Sequence, residues 1–176
     1  MRRLFSYLMI LCCATSAKAS TLKYATIDYE YVIQQSKSFA HAEKAIEHKR
    51  KAFFDEARRN EAALTKQRTA LEKECTTLSK EVCETKMRAN TESFHNLNNT
   101  YRAHRTNLNE SFLQATAKIE EALQTVIEDI VHHSHYTIVF HKRMLVYSEA
   151  SDDITSEVLK KLDAKLPTVS VTFAQH

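Results

Sequence analysis

No glycine occurs anywhere in the 176 residues, and the single proline is Pro167. Glycine supplies the positive φ of tight turns and lets backbone approach phosphate closely. Its absence excludes a P-loop, a dinucleotide fingerprint and a nucleophile elbow of the G-x-S-x-G kind. A sandwich of many short strands, punctuated by glycine and proline, is disfavoured for the same reason. What remains is a helix-dominated chain with long uninterrupted segments.

Residues 1–19 read as a secretory signal. Arg2 and Arg3 form a basic start, Leu4 to Ala14 is apolar, and Ala17-Lys18-Ala19 is an A-x-A cleavage pattern. Cleavage is expected after Ala19. The apolar stretch is shorter than the roughly 20 residues a membrane span needs. Cys12 and Cys13 raise a lipoprotein signal as the alternative, although the residue before a lipidated cysteine is normally small, and Leu11 and Cys12 stand there. The signal carries three basic residues and no acid. The precursor's 25 basic and 22 acidic residues therefore become 22 and 22, and the formal charge falls from +3 to 0. Such a balance does not indicate a nucleic-acid surface. All nine histidines lie in the mature chain, so its charge climbs below about pH 6.5.

Three segments follow. Leu22 to Ile27 alternates like a strand, and Tyr29 to Gln35 reads as a short helix capped by Asp28. From about Ser38 to Val131 the chain is rich in strong helix formers and lacks breakers. Apolar residues recur there at sevenfold spacing: Leu64, Leu71, Leu78; Met87, Phe94, Tyr101, Leu108; Phe112, Ile119, Val126. That spacing lays a narrow stripe along each helix, with steps of eleven as local stutters. Ser79 before Lys-Glu-Val is a serviceable N-cap, so the segment divides into an antiparallel hairpin with its tip near 76–79; a continuous rod is the alternative. Beyond it, Tyr136 to Phe140 and Met144 to Tyr147 read as two strands of an antiparallel hairpin. Asp152-Asp-Ile-Thr155 then caps a helix over Ser156 to Leu166, ended by Pro167, and the tail from Thr168 has no assigned structure. Strand candidates at both ends of the chain meet only if the middle goes out and comes back. A three-stranded sheet of this size is marginal alone, and oligomerisation is the natural remedy.

Leu22-Lys-Tyr-Ala-Thr-Ile-Asp28 with Tyr31-Val-Ile-Gln-Gln-Ser36 resembles the N-terminal signature of the Skp/OmpH periplasmic chaperones. Tyr136-Thr-Ile-Val-Phe140, Leu145-Val-Tyr147 and Asp152-Asp-Ile-Thr-Ser-Glu-Val-Leu-Lys-Lys-Leu162 are similar to that family's C-terminal strand, strand and helix. The middle matches in length and composition. The resemblance implies an α+β, mostly helical fold in which a hairpin arm (38–131) projects from a β-rich body (20–37 and 132–176, with the C-terminal helix). It also implies a homotrimer whose strands close a small barrel, with Leu22, Tyr24, Ile27, Val32, Ile33, Ile138, Phe140, Leu145 and Tyr147 as expected body residues. The implied activity is ATP-independent holding of unfolded outer-membrane β-barrel proteins in the periplasm, with no cofactor. Members are often strongly basic and this mature chain is neutral, which weakens the implied attraction to anionic membrane surfaces to a weak contact at most.

Each remaining cluster carries two readings. Cys75 and Cys83 lie too far apart on one straight helix for a disulfide but can face each other across a hairpin tip; an oxidising compartment favours the bond over two free thiols. Without C-x-x-C spacing, redox catalysis is not indicated. His132, His133, His135 and His141 form either a metal site or a polar helix terminus, and adjacent His132 and His133 point apart on a helix. Asp152 and Asp153 read as caps rather than an acid pair. Asn98-Asn-Thr100 and Asn109-Glu-Ser111 are sequons of consequence only in a eukaryotic secretory route. No catalytic constellation emerges. Phe53, Phe54 and Phe94 are either seam residues or client contacts; Phe53 and Phe54, being adjacent, cannot share one narrow seam. Lys49, Arg50, Lys51, Arg58, Arg59, Arg102 and Arg105 are the expected cationic contacts. The rival expectation is a structural coiled-coil or adaptor protein that binds one folded partner.

Overall fold

The computed structural model describes residues 22–174. The cleavage site after Ala19 and the Cys12/Cys13 pair lie outside them. The element order is β1 (Tyr24–Ile27), α1 (Tyr29–Gln35), α2 (Lys37–Glu74), α3 (Lys80–Ser134), β2 (Ile138–His141) and α4 (Thr155–Lys165), with 3-10 turns at Lys142–Met144 and Ala150–Asp152.

Local chemistry sets these boundaries. Asp28 caps α1, its Oδ1 accepting from Tyr31 N–H at 3.0 Å. Ser36 joins α1 to α2. Its hydroxyl donates to the Ile33 carbonyl at 2.8 Å and accepts from Phe39 N–H at 3.2 Å, ending one helix and capping the next. At the tip, the Thr76 and Thr77 hydroxyls return to the carbonyls of Lys73 and Glu74, satisfying the end of α2. Ser79 occupies the cap position of α3, but its side chain makes no capping hydrogen bond. At the other end of α3, a chain without glycine has no ideal residue for a left-handed cap. His135 takes that position at φ 56°, ψ 38°, and Tyr136 N–H closes onto Val131 O at 3.1 Å.

With 38 residues in α2 and 55 in α3, the helices run about 55 Å and 80 Å. They pack antiparallel through a thin seam. Beyond the base it holds few fully covered groups, among them Leu71 and Asn90. Asn90 Nδ2 donates to Leu64 O on the opposite helix at 3.2 Å, a polar register mark that the apolar spacing did not signal. Cys75 and Cys83 are joined across the tip with Cα atoms 5.2 Å apart.

The core sits at the other end. Ile27 of β1, Val32 and Ile33 of α1, Val158 and Leu162 of α4 and the stretch Ala115, Ile119, Leu123, Val126, Ile130 of α3 form one buried cluster. It therefore draws on α3 well inside the segment read from sequence as arm. Thr155 starts α4, its N–H held by Asp153 Oδ1 at 2.9 Å, and Thr155 Oγ1 accepts from Asp28 N–H, locking α4 to the start of α1.

The strands depart from expectation. β1 pairs with β2 in parallel, Tyr24 opposite Ile138 through Ile27 opposite His141. The antiparallel hairpin expected between 136–140 and 144–147 is not formed, and the second of those segments is not a strand. Charge pairs explain this. His141 Nε2 lies 2.6 Å from Glu30 Oε2, Arg143 pairs with the same carboxylate, and Lys142 reaches Asp153 Oδ2 at 2.7 Å. These contacts hold 141–143 against α1 and the Asp152–Asp153 turn, where a tight turn back onto β2 would have had to form. Met144, Val146 and Tyr147 are left almost fully exposed.

Replacing Cys75 and Cys83 by Ser should loosen the tip by about 2–3 kcal/mol, the loop-closure value for so short a link. Hydrogen exchange should show the loss at residues 70–90 and not in α4. Asp153 is pushed up by burial, but hydrogen bonds from Lys142 and Thr155 outweigh that and hold its carboxyl below the usual range. Its stabilisation is thus present above the ordinary value of about 3.9 and lost as pH falls through the depressed one. Asp153→Ala should lower Tm at pH 7, and the gap from the parent should close at progressively acid pH.

Candidate functional site

Two surfaces stand out, one on the arm and one on the body. On the arm, Phe53 and Phe54 diverge as neighbours on a helix must. Phe53 turns into the seam, stacking on His104 with centroids 3.8 Å apart and leaning on Tyr101 at 5.7 Å. Phe54 remains 48% exposed. It borders a cleft of about 270 Å³ with Ala57, Arg58 and Glu61 of α2 and Phe94, Leu97, Asn98 and Tyr101 of α3. Of the expected client contacts, the structure thus brings Phe54, Arg58 and Phe94 together and turns Phe53 inward. Tyr101, read from spacing as a seam residue, is half exposed at the rim. The cleft has aromatic walls, one cation and one anion, and it opens to solvent.

The other cations are distributed. Lys49 Nζ sits 5.7 Å from the Phe173 ring centre and Arg50 pairs with Glu47. Lys51, Arg59, Arg102 and Arg105 are exposed on the helices.

On the body, the nine expected residues divide. Ile27, Val32 and Ile33 are buried within the protomer's own core. Leu22, Tyr24, Ile138, Phe140 and Tyr147 are exposed, and Leu145 is half-buried. Tyr24 and Phe140 meet edge to face at 6.3 Å on one side of the sheet. Met144 and Val146, farther along the chain, are exposed as well. Among the described residues no strand covers the outer edge of β2, so unpaired backbone and exposed aromatics coincide, a template for another chain. Hydrogen bonds to carboxylates push two phenols up: Asp152 acts on Tyr24 and Glu149 on Tyr147, the latter at 2.6 Å.

The histidines do not converge. His133 Nδ1 contacts the Asp129 carbonyl, His135 is the left-handed cap and His141 faces Glu30. Among the described residues no three His, Cys, Asp or Glu side chains are grouped to hold a metal, and no helix is long and apolar enough to cross a membrane.

The sequence matches the model of the family described as outer membrane protein (OmpH-like). The chain belongs to that family, whose model matches residues 23–162. In fold it is similar to a proposed outer membrane chaperone (OmpH-like) from Caulobacter crescentus, at a TM-score of 0.82 and 13% identity, covering 89% of this chain and 93% of that one. No curated protein matches the chain in sequence.

The two adjacent phenylalanines should respond differently. Phe53→Ser should weaken the arm by about 1–2 kcal/mol through lost burial and ring stacking. Phe54→Ser should leave thermal unfolding within about 0.5 kcal/mol, as exposed substitutions do. Circular-dichroism melts of the two variants test this.

Proposed function

We propose that the chain is an ATP-independent holdase that keeps unfolded outer-membrane β-barrel proteins soluble in the periplasm, acting as a homotrimer. The observation that carries this reading is the arm. Its helices are solvated on most faces, carry balanced charge and present an aromatic cleft that opens to solvent. Such a surface suits many weak contacts with unrelated unfolded chains. Individual surface ion pairs contribute about 0–1 kcal/mol, and avidity among several arms supplies the rest. Membership in the OmpH-like family and the fold shared with a proposed chaperone support the same reading.

The body supports the trimer. A two-stranded sheet is marginal in water. The exposed segment 144–147 is strand-like in sequence and unpaired in the protomer, so it can complete the sheet of a neighbour. Tyr24, Ile138, Phe140 and Tyr147 would then be covered by the other subunits. The body (20–37 and 132–176) assembles and the arm (38–131) holds. The first segment directs export and is cleaved after Ala19. The alternative, an adaptor for one folded partner, predicts a single partner with fixed stoichiometry.

Light scattering distinguishes the two. When a urea-unfolded outer-membrane β-barrel protein is diluted into increasing mature protein without ATP, aggregation should fall and saturate near one client per three chains. Phe54→Ser together with Arg58→Ser should require several-fold more protein for the same effect. Undiminished aggregation at large excess of folded protein contradicts the holdase reading.

A further inference from the structure

The family match ends at residue 162, and the chain continues past α4 into a C-terminal segment. In it Val169, Val171 and Phe173 alternate with Ser170 and Thr172. The structure repeats the alternation in space: Val169 is buried, Val171 and Phe173 are half-buried, and Ser170 and Thr172 are exposed. The segment has no helix or strand hydrogen bonds of its own. It lies along the base of the arm, held from both helices. His41 of α2 contacts the Val169 carbonyl through Nδ1 at 3.0 Å, and Lys49 covers the Phe173 ring. From α3, Lys118 Nζ reaches the Ser170 carbonyl at 3.4 Å. Asn107 brackets Ala174, its Nδ2 donating to the Ala174 carbonyl at 2.8 Å and its Oδ1 accepting from the Ala174 N–H at 3.2 Å.

An amide that satisfies both backbone groups of one residue recognises extended main chain whatever its side chain. Pockets for every second side chain then select an alternating pattern. Apolar–polar alternation is also the pattern of a transmembrane β-barrel strand. We infer that the groove between α2 and α3 at the arm's base is a seat for extended, alternating segments of unfolded β-barrel proteins, and that residues 168–174 fill it as an internal stand-in. This rests on the holdase reading. Being tethered, the tail competes at an effective concentration in the millimolar range. A short free peptide therefore does not displace it, whereas a long client offering many such segments does.

Hydrogen exchange on the full mature chain tests the inference. Saturation with urea-unfolded β-barrel protein should speed exchange of the Ala174 amide, which Asn107 Oδ1 holds, at least tenfold. In a second measurement, the full-length variant carrying Val169→Asp and Phe173→Asp should bind a labelled Thr-Val-Ser-Val-Thr-Phe-Ala peptide at least tenfold more tightly than the parent. Adding Asn107→Leu should reverse that gain. Client kept soluble while the Ala174 amide stays as protected as in the free chain overturns the seat and leaves the holdase reading standing. Client that aggregates regardless removes both. Should the doubly charged variant fail to fold, the exchange result on the unaltered chain decides.

Discussion

The parallel pairing of β1 with β2 is the constraint on which the rest of the molecule depends. Parallel neighbours cannot be joined by a tight turn; they need a crossover. Here the crossover is the entire arm, since Tyr24 pairs with Ile138 only after α2 has run out and α3 has come back. The entropic cost of bringing such distant residues together grows slowly with loop length. It is offset by the buried cluster beneath the strands, where α1, α4 and the base of α3 meet. The body thus fixes the arm's root, and everything beyond the base projects with little core of its own.

That thinness explains the arm's other features. Two helices with a narrow seam cannot rely on apolar burial along their whole length. Register is marked instead by Asn90 donating across to Leu64 O, and the far end is clasped by the Cys75–Cys83 bond and the Lys86–Glu74 pair. Between clasp and base lies the cleft around Phe54 and Tyr101. On the proposed holdase reading, an arm pinned at both ends with a narrow seam between them leaves a surface that can yield to a bound chain. Extensive packing of Phe54 into the seam would have stabilised the arm and removed the adaptable surface.

Much of this was legible in the residues. The absence of glycine, the cap at Asp28 and the turn residues from Thr76 to Ser79 locate the first helix and the two halves of the arm. The apolar alternation at both ends locates β1 and β2. What the pattern did not carry was partnership. Val146 and Tyr147 have strand-forming side chains, but Glu30 and Asp153 draw His141, Lys142 and Arg143 away from the turn that would have folded them back. Glu30 lies more than a hundred residues away along the chain, and local propensity does not register it. The site was legible in kind and blurred in detail. Adjacency of Phe53 and Phe54 required them to separate, but which one faces His104 depends on the rotation of α2 about its axis, which the distant core sets. The tail was invisible for a similar reason, because its partners His41, Asn107 and Lys118 are polar residues of a solvated helix pair with no motif among them.

The central claim is that an incomplete sheet in the body obliges the chain to assemble and so gathers the arms around a client. Sedimentation equilibrium of the mature protein tests it most directly. The account predicts a mass of three chains at micromolar concentration, and of one chain when Phe140→Arg places a charge on the exposed face of the sheet. A monomer of the unaltered protein at that concentration, with its helices intact, would contradict it.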